Sequence, residues 1–262
     1  MLLFESILMG VLQGLSEFLP ISSSGHLAIV EDLLGARRHG MSFEVFVHTG
    51  TLIAILYVYR RRLSTLVQSL LHARQEDYAQ ERHLVFMLFW GSLPALAVAV
   101  LWKRQLEGIF TNLDAVAAGL TVTGLLLFVT RFSRSKMAPL GFLSALMIGG
   151  AQAGALIPGV SRSGATISIA LLLGLGEERA AEFSFLLAVP AIIGATVWEI
   201  SGLATGGGLC GEDLVYHLAG FLAASFSGLL AIKTVLGTLR RRRFRYFAYY
   251  CWAVSILVFT FL

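Results

Sequence analysis

The chain has 262 residues, 56% of them hydrophobic and only 14% charged, with a mean hydropathy of +0.77, a balance that excludes an ordinary soluble domain and defines a polytopic membrane protein. The formal charge of +4 does not point to nucleic acid, because the basic residues fall in loops between apolar runs, where they bear on topology and on membrane lipids. Cys210 and Cys251 have neither the number nor the spacing of a metal knuckle or a disulfide framework and read as free thiols.

The first apolar stretch covers about residues 2 to 35. No Lys or Arg precedes Arg37, so it lacks the basic n-region of a cleavable signal and is expected to be structural. It reads as an apolar helix, a polar turn running from Pro20 to His26, and a second apolar helix. Three spans follow, near residues 43 to 59, 84 to 102 and 114 to 130. A second broken stretch, about 140 to 175, turns at Pro158 to Thr166 and is followed by spans near 182 to 200, 214 to 236 and 246 to 262. All six spans are long enough for a hydrocarbon core of roughly 30 Å. The broken stretches are too polar at their centres to cross as plain helices. Such backbone is tolerated at membrane depth only where protein or a water-filled cavity covers it, so two re-entrant helical hairpins are predicted.

The two broken stretches copy each other. At an offset of 139 residues Gly10 pairs with Gly149, Gln13 with Gln152, Ser22 with Ser161, Ser24 with Ser163, Gly25 with Gly164, and Gly35 with Gly174. Charge then orients the chain. Fourteen of the 20 basic residues lie in four loops, around Arg60 to Arg82, Arg131 to Lys136, Arg179, and Arg240 to Arg245, which the positive-inside rule assigns to the cytoplasm. The opposite side holds Arg37, Arg38, Lys103 and Arg104, with no basic residue near Glu212 and Asp213. Both termini are then outside. Three spans after each hairpin place the halves, residues 1–135 and 136–262 of one integral domain, in opposite orientation. The predicted fold is all-α, an inverted-topology repeat of six transmembrane helices and two re-entrant hairpins. Transporters of that plan bind ligand at the repeat interface.

The chemistry sits at the hairpin tips. Gln13 and Glu17, four residues apart, share one face of the first half-helix. A carboxylate at that depth is costly unless paired, protonated or bound to a cation; the plainer alternative is a helix-end carboxylate capped by serines. Ser22, Ser23 and Ser24 follow Pro20, and capping the next helix needs only one of them. His26 reads either as a satisfied core imidazole or as a group close enough to act on a hydroxyl or a bound phosphate. At the second tip Arg162 keeps its charge at any accessible pH and needs anionic company, and its planar fork suits phosphate or carboxylate. An ion pair with Glu17 is the alternative, and an apo-state partner can yield to a ligand. Ser161, Ser163 and Thr166, with the free N–H groups that open the next helix, make a phosphate cradle. Lys233 lies near the arginine-rich end of its span and reads as a snorkelling residue.

The motifs QGLSEFLPISSSGH and PGVSRSGAT resemble the two signatures of the bacterial undecaprenyl-diphosphate phosphatases of the bacitracin-resistance family. The likeness continues through FEVFVHTGTLIAI at Phe43, EFSFLLAVP at Glu182 and IKT at Ile232, while FAYYCW carries Cys251 where the family pattern leads one to expect arginine. The resemblance implies a multi-pass enzyme of the bacterial inner membrane, its site opening to the outer side. It would remove the terminal phosphate of undecaprenyl diphosphate, regenerating the lipid carrier of cell-wall synthesis, with help from Mg2+ or Ca2+. It implies that Arg162 clamps phosphate, with Ser22, Ser24, Ser161, Ser163 and Thr166 around the substrate. Glu17 holds the cation and Gln13 assists as a neutral ligand or hydrogen-bonding group. Ser23 is the candidate nucleophile and His26 its base or acid, with a water activated by His26 as the alternative. Oligomeric state stays open, a homodimer included.

Two rival functions belong to other classes. Inverted repeats with broken helices also suit a polyprenyl-phosphate flippase without hydrolysis. An intramembrane serine protease would use a buried Ser and His but has no need of Glu17 and Arg162.

Overall fold

The computed structural model describes residues 3–33, 41–72, 75–102, 112–133, 138–206 and 213–262. Gly35, Arg37, Arg38, Arg74, Lys103, Arg104, Arg134, Lys136, Cys210 and Glu212, used above for register, topology and thiol state, lie outside the described residues. Among the described residues the chain is helical throughout and has no strand. The first hairpin comprises α1 (Leu3–Phe18) and α2 (Ser23–Leu33), followed by α3 (Met41–Val58), α4 (Arg60–Leu71), α5 (Ala79–Leu101) and α6 (Leu113–Val129). The second comprises α7 (Phe142–Gly154) and α8 (Arg162–Leu172), followed by α9 (Glu177–Gly206), α10 (Asp213–Arg240) and α11 (Phe247–Phe261).

Five of the six expected spans are helices long and apolar enough to cross a membrane, corresponding to α5, α6, α9, α10 and α11. The remaining one is α3, whose apolar part, Phe43–Val58, is shorter. One segment differs from the sequence reading. The loop assigned to Arg60 through Arg82 contains the 12-residue helix α4, because Leu63, Leu66, Val67 and Leu70 recur at helical spacing. Leu66 is buried while Val67, Leu70 and Leu71 stay exposed beside arginines, the pattern of a helix lying in the bilayer interface. Ion pairs tie this basic end together: Arg62 reaches Glu182 at 2.6 Å and Glu81 at 3.1 Å, and Arg240 reaches Glu178 at 3.0 Å.

The hairpins break where their sequences force a break, and both restart in the same way. Pro20 and Pro158 withhold an N–H from each turn. Ser22 takes a left-handed φ of 72° and Gly159 one of 82°. The hydroxyl of Ser22 accepts from Gly25 N at 3.3 Å, and that of Ser161 from Gly164 N at 3.1 Å. The serine, three residues ahead of the glycine, caps the second half-helix at equivalent positions of the sequence repeat.

The halves interlock through a matched pair of helix crossings. A β-carbon added at Gly10 of α1 would lie 2.3 Å from the carbonyl oxygen of Gly220 in α10, and one at Gly149 of α7 would lie 2.1 Å from that of Gly91 in α5. Each hairpin therefore lays its first helix on the second of the three spans of the other half, backbone to backbone, which suits a bilayer where packing rather than water expulsion drives helix association. Gly149→Val must push α7 off α5 and is expected to lower stability by about 1–3 kcal/mol or more, as overpacking does. Gly150→Ala, whose β-carbon meets nothing within 4 Å, should be neutral or slightly stabilising. Thermal unfolding of the two variants in detergent checks the contrast.

Candidate active site

The two tips meet at the centre of the bundle. Ser163 Oγ donates to Leu19 O at 3.3 Å, joining the second tip to the first. Helix α6 closes the far side: Thr123 Oγ1 donates to Gly159 O at 2.9 Å and accepts from Ser161 N at 2.9 Å. A β-carbon at Gly159 would lie 2.1 Å from Val116 O, so the positive φ and the approach of α6 both restrict this position to glycine. The tips are thus held rigidly, as a site on preorganised elements requires.

Between them lies a cavity of about 190 Å³. Its polar wall carries Glu17, Ser22, Ser23 and Ser24 from the first tip and Ser161 and Arg162 from the second. Ala191, Ile192 and Ala195 of α9 form an apolar wall opposite. Glu17 is the hub. Its Oε1 accepts from Arg162 Nη2 at 2.5 Å, while Oε2 accepts from Ser23 Oγ at 2.6 Å and Gln13 Nε2 at 3.1 Å. Arg162 is only 18% exposed, and its Nη1 donates to Ala188 O at 3.2 Å, so the guanidinium is braced from two sides. The ion pair weighed from the sequence is present. In this arrangement Arg162 faces the cavity with a partner that a phosphate can displace.

The serines divide their roles. Ser22 caps α2 and lies 3.4 Å from Ser24 Oγ, as Ser161 caps α8 and lies 3.3 Å from Ser163 Oγ. Ser23 is the member of the triplet whose hydroxyl turns to the carboxylate. Ser163 and Thr166 do not line the cavity. Thr166 is fully buried, donating to Arg162 O at 2.8 Å and accepting from Ser184 Oγ at 2.5 Å, so it fixes α8 against α9.

His26 also stands away from the cavity. Its Nδ1 bonds Ser22 O at 2.8 Å, and because a carbonyl only accepts, that nitrogen carries the proton. Nε2 then accepts from Tyr250 OH at 2.8 Å, with the two rings stacked at 5.6 Å. Both nitrogens are satisfied, as in the core-imidazole alternative, and the hydrogen-bond acceptor beside Ser23 is Glu17. Ser23, the first residue of α2, reaches back to Glu17 of α1, while the His26 ring one turn on is taken up by Tyr250 of α11. Cys251, next to Tyr250, is a buried free thiol with Sγ 3.6 Å from Pro20 O, so it packs beneath the same turn.

Sequence reasoning assigned no role to His48, which lines the cavity from α3. Its Nδ1 bonds Glu44 O at 2.9 Å, and Nε2 has no hydrogen-bond partner among the described residues. A histidine inside the apolar run FEVFVHTGTLIAI was the available signal.

The donor set limits which metal fits. Among the described residues no three His, Cys, Asp or Glu side chains converge as the ligands of a closed zinc site do. Glu17 supplies one carboxylate, and beside it the buried Oε1 of Gln13 has no hydrogen-bond partner among the described residues. One carboxylate and a neutral oxygen fit Mg2+ or Ca2+, which complete their shells with waters and substrate phosphate.

A helical membrane protein that joins two polar hairpin tips around an arginine–carboxylate pair is built to handle a lipid-borne anion. The chain belongs to the bacitracin resistance protein BacA family, whose family model matches residues 6–257. It is 42% identical over 260 residues to the undecaprenyl-diphosphatase of Syntrophotalea carbinolica, covering 98% of this chain and 97% of that one. Identity to the undecaprenyl-diphosphatase of Methanobrevibacter smithii is 38% over 271 residues, covering 98% and 96% of the two chains. Undecaprenyl-diphosphatase 2 of Bacillus thuringiensis is 34% identical over 265 residues, covering 99% and 98%.

Proposed function

We propose that this chain hydrolyses undecaprenyl diphosphate to undecaprenyl phosphate and inorganic phosphate. The observation that carries the reading is the unit in which Ser23, Glu17 and Arg162 are joined by two short hydrogen bonds at the edge of one cavity. Full-length similarity to proteins named undecaprenyl-diphosphatase supports the substrate.

In the proposed mechanism the terminal phosphate enters between the tips and takes the Arg162 fork in place of Glu17 Oε1. The Ser161 and Ser24 hydroxyls, both on the cavity wall, supply further donors. Ser23 Oγ attacks phosphorus in line, its proton passes to Glu17 Oε2, and the bridging P–O bond breaks to release the lipid monophosphate. Water then hydrolyses the phosphoserine, the proton returns to Ser23 and inorganic phosphate leaves. Positioning and charge neutralisation supply most of the rate in such transfers. A divalent cation, when bound, neutralises phosphate charge; Glu17 and Gln13 are the residues that would hold it. His26 and Tyr250 keep the Ser22 turn in place, and His48 contributes an imidazole nitrogen to the cavity wall. The apolar wall of Ala191, Ile192 and Ala195 receives the first prenyl units.

We further infer that residues 1–135 and 136–262 form the two inverted repeats and that the arginine-rich end faces the cytoplasm. The cavity then opens outward in the inner membrane. Purified protein in detergent is expected to release phosphate from undecaprenyl diphosphate, and a chelator to suppress most of that release. A preparation that moves polyprenyl phosphate across vesicles yet releases no phosphate would favour the flippase reading instead.

A further inference from the structure

A second cavity, of about 210 Å³, lies at the arginine-rich end of the molecule. It is distinct from the tip cavity: Arg162 opens α8 at one site and Leu171, near the other end of the same helix, lines the second, a separation of about 14 Å along the helix. Its floor is apolar, made by Leu171, Leu239 and Phe244, all buried. Its walls carry three arginines, Arg131, Arg242 and Arg245, against one carboxylate, Glu177.

The charges are unbalanced. Glu177 is engaged by Arg242 at 3.3 Å. Arg131 lies over the rings of Phe128 and Phe132 at 4.1 and 4.3 Å, and Arg245 over Tyr246 at 5.4 Å; neither has a carboxylate partner among the described residues. Rings orient a guanidinium without neutralising it, so two positive charges are left for a ligand. The Ser133 hydroxyl, also on the wall, makes no hydrogen bond among the described residues.

Backbone geometry adds an independent observation. Helix α10 ends in a Schellman turn, with Arg243 N donating to Thr238 O and Arg242 N to Leu239 O, both at 2.8 Å. Arg242 therefore occupies the left-handed position, at φ 54°, where glycine is the usual residue. The turn fixes the Arg242 backbone at the cavity rim, with its side chain on the wall beside Glu177.

We propose that this cavity binds a phosphate group, carried by an anionic lipid headgroup or supplied as free phosphate. Three arginine forks suit phosphate oxygens, and the apolar floor suits the chain of a lipid lying between spans. Glu177 competes for Arg242 when the ligand is absent.

The test uses the full-length protein in neutral detergent, with phosphatidylglycerol, phosphatidylcholine and sodium phosphate as probes. Native mass spectrometry is expected to show phosphatidylglycerol retained over phosphatidylcholine. Arg131→Gln with Arg245→Gln should lower that retention about tenfold or more. Arg240→Gln, which removes an exposed arginine paired with Glu178 and absent from the cavity wall, should leave it unchanged. Glu177→Gln should raise it, a gain that an unfolded variant cannot produce. If both lipids are retained equally while millimolar phosphate raises the Tm of the wild type but not of the double variant, the site takes free phosphate. Equal losses for Arg240→Gln and the double variant would reduce the effect to a diffuse basic surface and overturn the site, as would undiminished binding of both probes by the double variant.

Discussion

Replacing Arg162 with lysine is expected to cost about 10²- to 10³-fold in kcat, the usual loss when one preorganised donor to a developing oxyanion is removed. The substitution isolates geometry from charge. A lysine ammonium at this position can still pair with Glu17, so the buried carboxylate is not stranded and the tips should stay assembled. What it loses is the fork, which bonds Ala188 O through one nitrogen and Glu17 through another and presents a planar face to phosphate. Steady-state phosphate release, beside a thermal melt showing an intact fold, measures both halves of the expectation. Turnover near wild type in the lysine variant would reduce Arg162 to a point charge.

The serine triplet should show the second large effect, and it should be position-specific. Ser23→Ala removes the hydroxyl that donates to Glu17 and is expected to lower kcat by about 10³-fold or more, as loss of a nucleophile does. Ser22→Ala removes a cap on α2, worth about 1 kcal/mol of stability, and Ser24→Ala removes one hydroxyl donor from the cavity wall, so both should keep far more activity than Ser23→Ala. Acid-quenched wild-type reactions should contain phosphoserine on the first-tip peptide. Substantial turnover by Ser23→Ala, without trapped phosphoserine, would mean that water is the nucleophile and that Ser23 only orients Glu17.

Much of this arrangement was legible before any coordinates, and the reasons are local. Gln13, Glu17, Ser22 and Gly25 sit at fixed helical spacings around one proline, so their mutual placement follows from the turn itself. The match of Ser22 with Ser161 and Gly25 with Gly164 carried the capping geometry from one tip to the other. The pairing of Glu17 with Arg162 was available too, because a membrane interior leaves a buried arginine few partners.

Long-range orientation was harder to read. His26 lies three residues from Ser23 in sequence, but its ring is claimed by Tyr250, 224 residues away, and no local pattern encodes that contact. Thr166 resembled a cradle hydroxyl because it ends the PGVSRSGAT motif, yet it lies one turn further into α8, buried against Ser184 of α9. His48 escaped notice for the converse reason: its own segment reads as an ordinary apolar helix, and only packing turns one residue of it onto the cavity. Helix α4 was hidden by its arginines, which marked the segment as a topology signal and masked its apolar periodicity.

The most direct measurement is phosphate release from undecaprenyl diphosphate by the purified Glu17→Gln variant, run beside wild type and beside Arg240→Gln, whose arginine lies at the basic end of α10. Glutamine keeps the shape of Glu17 and a hydrogen-bond acceptor for Ser23, but neither takes the serine proton nor offers a charged ligand to a cation. The expected result is loss of phosphate release to background in Glu17→Gln, with Arg240→Gln at wild-type rate and all three proteins monodisperse on gel filtration. Cation-stimulated release by Glu17→Gln at the wild-type rate would contradict the assignment of the two hairpin tips as the catalytic centre.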